Sequence, residues 1–223
     1  SDYEASMVAV QDTLAADGVM LVPEVLPQAI GKLAGRLCNR AASVADTPMR
    51  VKTGALVGDV TKPVDMNGVE LSTATLQTLE QNRLSVPAWF PDFDGIYWAD
   101  GRMLDVEGGD FQVVENRRVI DKIARRVRLI AIADIGDRSF NSTPASTARA
   151  KMRYTRPMRE MAKSTTIGQV VIPGEIESPK EGAIAITWKT KNTVEIYMTA
   201  TPLDCPKSIT AGLMLDLSSP EAA

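Results

Sequence analysis

The sequence predicts an α+β protein: a mixed α/β layer, then two long helices, then a C-terminal β hairpin and a final strand. Two observations support this order. Apolar residues recur at helical spacing in the earlier part of the chain, whereas β-branched residues alternate with polar ones in roughly the last sixty positions. With 223 residues, 44% of them hydrophobic and 24% charged, the chain is long enough to bury a core. We expect two parts, residues 1–83 and 84–223.

The N-terminal part alternates helices and strands. The predicted elements are a helix at 3–16, a strand at 19–25, a helix at 26–45, a strand at 50–57 and a short helix at 72–82. Asp17-Gly18 is a typical helix stop, and Pro27 is tolerated near the start of the second helix because its missing N–H is not needed there. A strand, helix and strand in this order are typical of an α/β layer.

The middle of the chain begins with an acidic and aromatic segment. Residues 84–93 include Pro87 and Pro91, so they are predicted to form an edge strand or an extended loop. Residues 95–104 alternate around Asp100-Gly101, a dipeptide that favours the tight turn of a β hairpin. We therefore expect a hairpin centred on that dipeptide.

A basic helix is predicted within residues 111–137. Its apolar residues follow a helical stripe, which indicates that one face packs in a core; the stripe is Ile120, Ile123, Ala124, Val127 and Ala131. Asp121 is expected to pair with Arg125 one turn later. A second basic helix should start with Thr143 as N-cap and Pro144 as first residue, run to about Lys163, and bend or divide at Pro157.

The C-terminal region is predicted to consist of strands. They lie at residues 168–172, 183–188, 194–201 and 209–217, with Lys191-Asn192 as the turn of a hairpin and with Pro202 and Pro206 around a bend before the last strand. Cys38 and Cys205 are isolated in the sequence, so we expect two reduced, buried thiols.

Composition excludes several kinds of chemistry. The chain contains no histidine, which rules out Ser-His-Asp and Cys-His catalysis and HExxH zinc sites made from this chain. No glycine-rich nucleotide-binding motif is found, and no apolar run is long enough to span a bilayer. We expect a protein that is not an enzyme, binds no cofactor or metal, and does not enter a membrane.

Two charged clusters leave alternatives open. The first comprises Asp92, Asp94, Asp100, Asp105, Glu107 and Asp110. It does not match a calcium-binding loop, and turns favour aspartate anyway, although a histidine-free enzyme could use these carboxylates. The second is basic: residues 111–165 hold 13 Lys and Arg against 5 Asp and Glu. Its helices at 117–128 and 149–163 could bind nucleic acid, but no aromatic residues interleave them, so an acidic protein partner fits better.

Three segments carry a resemblance to a known family. They read DGIYWADGRM at 94–103, FQVVENRRVIDKIARRVR at 111–128 and TPLDCPKSITAGLMLDLS at 201–218. In this order they resemble the C-terminal half of contractile phage tail sheath proteins, most closely those of Mu-like phages and prophages. The resemblance covers about residues 84–217. Residues 1–83 are similar, more loosely, to the α/β layer that precedes that half.

The resemblance implies a virion structural protein, assembled in the bacterial host cytoplasm and located in the tail. Subunits of that family form stacked hexameric rings around the tail tube, exchange terminal strands, and contract to drive the tube through the host envelope. Residues 194–201 would then receive a neighbour's strand 209–217. The implied contacts with an acidic tube protein are Lys151, Arg153, Arg156, Arg159 and Lys163. The implied contacts with other subunits are Arg117, Arg118, Lys122, Arg125, Ile209, Leu213 and Leu215.

One departure from the family concerns the N-terminal arm. Family members generally carry such an arm, and nothing in this sequence resembles it. We therefore expect this chain alone to be a monomer or a small oligomer that forms no tubes.

Overall fold

The computed structural model describes residues 2–40, 42–58, 61–65, 67–167, 170–210 and 212. These residues form five α-helices: α1 Asp2–Asp12, α2 Ala29–Leu37, α3 Thr73–Gln81, α4 Val114–Ala133 and α5 Pro144–Met161. They also form three antiparallel strand pairs: β1 Pro87–Phe90 with β2 Phe93–Trp98, β3 Thr165–Ile167 with β4 Val170–Ile172, and β5 Ile184–Trp188 with β6 Val194–Met198. The predicted α+β class is confirmed.

Neither strand predicted in the N-terminal part forms. At 19–25, Leu21 makes only a single parallel bridge with Leu84. At 50–57 the chain instead makes a short 3₁₀ helix, Val51–Thr53.

The side chain of Arg36 explains the second difference. This buried guanidinium donates to the carbonyls of Pro48, Arg50 (2.8 Å) and Gly54 (2.7 Å), so it takes acceptors that a strand partner would need. The helix that carries it, α2, is also shorter than predicted. It begins after Gln28, whose φ of 58° lies in the left-handed region, and ends at Leu37, with Cys38 as its C-cap.

The hairpin forms earlier in the chain than predicted. Phe90 pairs with Phe93 around Pro91 and Asp92, and Asp92 supplies the positive φ of 58°. Gly101, expected in the turn, lies against the start of α4. A Cβ at this position would come within 2.5 Å of the Val114 side chain, so this glycine permits close packing.

The two long helices form as predicted, with local differences. Thr143 caps α5 by accepting a hydrogen bond from the N–H of Ser146, and Pro144 is its first residue. The helix continues through the buried Pro157 as one element and ends at Met161. In α4, Asp121 pairs with Arg117 at 3.3 Å rather than with the predicted Arg125.

Each half of the chain has its own core. In the C-terminal half, the α4 residues Val119, Ile123 and Val127 pack with residues of α5 and β5. In the N-terminal half, α3 packs with Leu84, Val86 and Ala99. A third cluster joins α2 to the fully buried Trp98. Residues 84–99 therefore pack with the N-terminal half, and the predicted division at 83/84 stays a prediction.

The C-terminal hairpin is confirmed as β5–β6, with Lys191-Asn192 in its turn. The predicted strand at 168–172 is described only as β4, and β3 was not predicted. The final strand at 209–217 lies mostly outside the described residues, as do Leu213 and Leu215; its described residues carry no strand. Cys38 and Cys205, expected to be buried, are exposed free thiols. No described helix is long and apolar enough to cross a membrane.

Candidate assembly surfaces

The basic residues in the first half of α4 contact other parts of the same chain. Arg117 donates to the carboxylate of Asp17 at 2.6 Å. Arg118 donates to the carbonyl of Leu37, the last residue of α2, at 2.7 Å. Both arginines therefore attach α4 to the N-terminal half.

Lys122 and Glu175 form a second internal contact. The ammonium of Lys122 lies 2.6 Å from both carboxylate oxygens of Glu175, and Ser43 donates to the same carboxylate at 2.6 Å. This carboxylate joins α4, a loop of the N-terminal half and the segment after β4. Arg117, Arg118 and Lys122 thus stabilise the fold of their own chain, and their predicted contact with neighbouring subunits stays a prediction.

The second half of α4 has a different outer surface. Arg125 and Arg128 are exposed and have no hydrogen-bond or ion-pair partner in the described part of the chain. Beside them, Leu129, Ile132 and Ile135 are 68%, 52% and 79% exposed. The four helical residues lie opposite the buried stripe at 119, 123 and 127, because they follow helical spacing half a turn away. We call these five residues the outward α4 face.

All five predicted tube contacts are exposed; they are Lys151, Arg153, Arg156, Arg159 and Lys163. Two of them have partners within the chain. Arg156 pairs with Glu160 at 3.0 Å on an exposed surface, and Arg153 pairs with the buried carboxylate of Asp134. In the described residues the other three cations of this group have no partner.

Asp134 connects the ends of α4 and α5. The hydroxyl of Tyr154 donates to Asp134 Oδ2 at 2.6 Å, and Arg153 contacts the same oxygen. Burial, together with this bond to a carboxylate, raises the pKa of Tyr154 to about 12. Since Arg153 balances a buried charge, it positions α5 against α4 in addition to any contact outside the chain.

A buried ion cluster fixes the segment after β6. The Lys207 ammonium lies 2.6 Å from Asp100 Oδ2 and 2.7 Å from Glu115 Oε1. Asp100 also accepts hydrogen bonds from the Thr47 hydroxyl at 3.0 Å and from the N–H of Gly101 at 2.9 Å. Asp100 is therefore a structural group rather than a turn residue.

Burial and charge act in opposite directions in this cluster. Burial raises the pKa of Glu115, and the attraction of Lys207 only partly offsets that effect. Burial alone lowers the pKa of Lys207, but Glu115 and Asp100 outweigh it, so the pKa of this lysine is raised. No local sequence pattern predicts the cluster, because Lys207 is 107 positions from Asp100.

The other acidic residues of the 92–110 segment do not converge on a metal site. Asp105 accepts hydrogen bonds from the N–H groups of Val106 and Phe111, at 2.9 and 2.8 Å. Across the described ranges, no group of three or more His, Cys, Asp or Glu is arranged to hold a metal ion.

The tip of the β1–β2 hairpin is acidic and aromatic. Phe90 and Phe93 are 40% and 52% exposed, and their ring centroids lie 5.9 and 5.6 Å from that of the buried Tyr97. Asp92 and Asp94 are exposed beside them, and their carboxylates have no partner in the described chain. We call Phe90, Asp92, Phe93 and Asp94 the hairpin tip. Sequence reasoning missed this surface, although Pro91-Asp92 between two aromatic residues is a turn signal.

Comparison with known proteins gives one close relative. A "Putative tail sheath protein" of Haemophilus phage HP1 (strain HP1c1) is 54% identical over 219 residues. The alignment covers 97% of this chain and 58% of the relative, so the chain spans less than two thirds of that protein's length.

A solved structure has a similar fold. It is a chain in the cryo-EM structure of the anti-feeding prophage baseplate, six-fold symmetrised, with a TM-score of 0.56 and 13% identity. The match covers 96% of this chain and 65% of the other. Family comparison matches residues 1–102 to the N-terminal domain of DUF2586 and residues 110–218 to its C-terminal domain. The chain belongs to the DUF2586 family.

Proposed function

We propose that the chain is part of a structural subunit of a contractile phage tail sheath, of the type found in Mu-like phages and prophages. The observation that carries this proposal is the 54% identity, over 97% of the chain, to a relative named as a tail sheath protein. The fold shared with a baseplate chain is consistent with it. In this role the protein is not an enzyme. It assembles in the host cytoplasm and stays in the virion tail.

In the proposed assembly, subunits form hexameric rings stacked around the tail tube and contract to drive the tube through the host envelope. The tube contact lies on the outer face of α5. Lys151, Arg159 and Lys163 supply free positive charge for an acidic tube surface, and Arg156 contributes from an exposed pair. Exposed ion pairs contribute about 0–1 kcal/mol each, so several hold the tube while each still separates readily during contraction.

The proposed link between neighbours is an added strand. In the described chain β5 and β6 pair only with each other, so each has an outer edge that offers backbone N–H and C=O groups. A two-stranded hairpin is marginally stable alone, and a third strand would complete it. We assign the donated strand to residues 209–217 of a neighbour, including Ile209, Leu213 and Leu215.

The direct test is to locate the protein in particles. Tails purified from the phage or prophage that encodes the chain are labelled with gold-conjugated antibodies against it and imaged by electron microscopy. We expect labels along the whole length of the sheath. Labels confined to the capsid or the tail end, or absent from tails, would show that this assignment is wrong.

The tube contact is tested separately by reversing charge in the full-length protein. The triple variant Lys151→Glu, Arg159→Glu, Lys163→Glu should release sheath from purified tubes in a sedimentation assay. The matched control reverses Arg40, Lys52 and Lys180, which are exposed residues outside both α5 and the β5–β6 hairpin. Arg153 is left unchanged because it balances the buried Asp134. Equal attachment of triple variant and control would contradict the α5 assignment.

A further inference from the structure

Two uncovered surfaces of this chain have complementary chemistry. The hairpin tip combines two aromatic rings with two carboxylates, and the outward α4 face combines two arginines with three aliphatic side chains. We propose that the hairpin tip of one copy docks on the outward α4 face of a second copy. The inference rests on the proposed function, since it names which surfaces join neighbouring subunits of the same assembly.

The hairpin tip is held in a fixed shape. Tyr97 supports both phenylalanine rings, and the N–H of Leu56 donates to the carbonyl of Ile96 at 2.7 Å, which anchors β2 to the N-terminal half. Gly95 allows this approach: a Cβ there would lie 2.7 Å from the Cβ of Ala55. A rigid tip loses little conformational freedom on binding, which favours its use as a contact.

The outward α4 face is unusual for a helix whose other side forms a core. Such a helix normally shows polar residues on its outer face. Here Leu129 and Ile132 are 68% and 52% exposed on the last two turns, with Ile135 just beyond. Exposed aliphatic side chains grouped with arginines are typical of a surface that another protein covers.

The two surfaces match in charge and in apolar character. The carboxylates of Asp92 and Asp94 offer partners for the guanidinium groups of Arg125 and Arg128, which are free within the described chain. A guanidinium also stacks on an aromatic ring, so the exposed phenylalanines can contact the arginines as well as the aliphatic residues.

The basic face of α5 fits the hairpin tip less well. It offers Lys151, Arg159 and Lys163, but the large hydrophobic side chain exposed on this helix is Met152, at 60%. That face can satisfy the carboxylates without covering two aromatic rings. The comparison favours α4 for contact between copies and leaves α5 for another partner.

The contact is heterologous, because each copy contributes two different surfaces. A contact of this kind closes into a ring or continues as a helical filament, depending on the rotation between copies. Every copy then uses both surfaces, so a single repeated contact suffices to build a ring.

Disulfide trapping tests the contact directly, whether or not the protein belongs to a sheath. In a Cys38→Ser, Cys205→Ser background of the full-length protein, a Phe93→Cys variant is mixed with a Leu129→Cys variant under mild oxidation. We expect at least tenfold more crosslinked heterodimer than in a mixture of Phe93→Cys with Lys180→Cys, an exposed control position. Equal yields in the two mixtures would overturn the proposal.

Charge exchange gives a second measurement. We reverse charge on the hairpin tip with Asp92→Arg, Asp94→Arg, or on the helix with Arg125→Glu, Arg128→Glu. Either reversal alone should lower the yield of the crosslink at least tenfold, because like charges then face each other across the contact. Placing the hairpin reversal on one copy and the helix reversal on the other should restore the yield. All four positions are exposed, and circular dichroism checks that the variants stay folded. A crosslink that ignores these reversals, or that the paired reversal fails to restore, contradicts the contact.

The crosslinking experiment tests the contact independently of the antibody labelling that tests the proposed function. Trapped dimers from a protein that antibodies do not find in tails would support the contact and reject the sheath. Labelled tails without specific crosslinks would do the opposite.

Discussion

Replacing Lys207 with methionine tests the buried ion cluster that fixes the segment after β6. Methionine keeps much of the side-chain volume and removes the charge. The side chains of Asp100 and Glu115 are only 6% and 8% exposed, so without Lys207 the protein would bury two carboxylates with no cation beside them. We expect a large loss in the free energy of unfolding.

The size of that loss can be bounded from both sides. Removing one partner of a buried ion pair typically costs about 3–5 kcal/mol. The Lys207 side chain is 33% exposed, which places this case at the lower end of that range. Glu115 also limits the loss, since it takes up a proton once ionisation costs more. At pH 7 the share of Glu115 is limited to roughly 4 kcal/mol, at about 1.4 kcal/mol for each pH unit above the ordinary pKa of a glutamate. We therefore expect about 3 kcal/mol.

The pH dependence of the free energy of unfolding shows whether the loss comes from the ionised groups of the cluster. In the parent protein the pKa of Lys207 is raised above 10.5, so its contribution is complete below pH 10.5 and is lost as the pH rises through the raised value. Burial raises the pKa of Glu115 above 4.5, so ionising Glu115 costs stability that acidification recovers. Without Lys207 this pKa rises further. The difference between variant and parent should therefore shrink from pH 7 to pH 5.

Urea unfolding followed by tryptophan fluorescence measures these differences, because Trp98 is fully buried in the native state. The control is Lys180→Met, whose 3.6 Å pair with Glu177 is exposed; we expect it to stay within about 0.5 kcal/mol of the parent. Adding Glu115→Gln to Lys207→Met should recover part of the loss. A Lys207→Met protein as stable as the control, or a deficit that is the same at pH 5 and pH 7, would refute the cluster.

Three further predictions follow from local contacts. In a spectrophotometric titration of the native protein, Tyr154 should ionise only near pH 12, and Tyr154→Phe should remove that late phase; it should also cost about 1–2 kcal/mol in urea unfolding, since Asp134 loses a hydrogen bond. Ser72→Ala should cost about 1 kcal/mol in the same assay, because its side chain caps α3 by accepting from the N–H of Thr75; a Ser72→Thr protein should keep most of that stability. Gly95→Ala should lower the thermal midpoint, since φ here is +102° and the new methyl group meets the Ala55 side chain; an unchanged midpoint would contradict the described close approach of β2 to Ala55.

The parts of the fold that sequence could predict are those determined by neighbouring residues. Thr143 and Pro144 mark the start of α5 because a cap and a first-turn proline act within one turn of the chain. The apolar stripe of α4 could be predicted for the same reason. It differs from the prediction at its start, where Val119 is buried and Ile120 is only partly buried.

The parts that sequence could not predict depend on distant partners. Arg36 donates hydrogen bonds to carbonyls 12 to 18 positions away, and a predicted strand does not form there. No local sequence pattern predicts that contact. Asp100 was predicted to lie in a turn, but its side chain is buried and pairs with Lys207. The hairpin tip and the outward α4 face were equally hidden. Their importance depends on exposure, and only the packed structure shows which side of an element is left uncovered.

The contacts between the two family domains have a mechanical consequence. Within the described residues, each of the three buried clusters lies in one domain, and of the hydrophobic residues packed against these clusters only Val44 and Ala45 come from the other domain. Apart from the close packing of Val114 against Gly101, the remaining connections described above are hydrogen bonds and ion pairs. When a polar contact opens, water replaces the lost partner, and the net cost is about 0.5–1.5 kcal/mol. Separating a core costs about 25 cal/mol for every Å² of apolar surface that becomes exposed. We therefore expect a load on the subunit to open this junction before it opens either core.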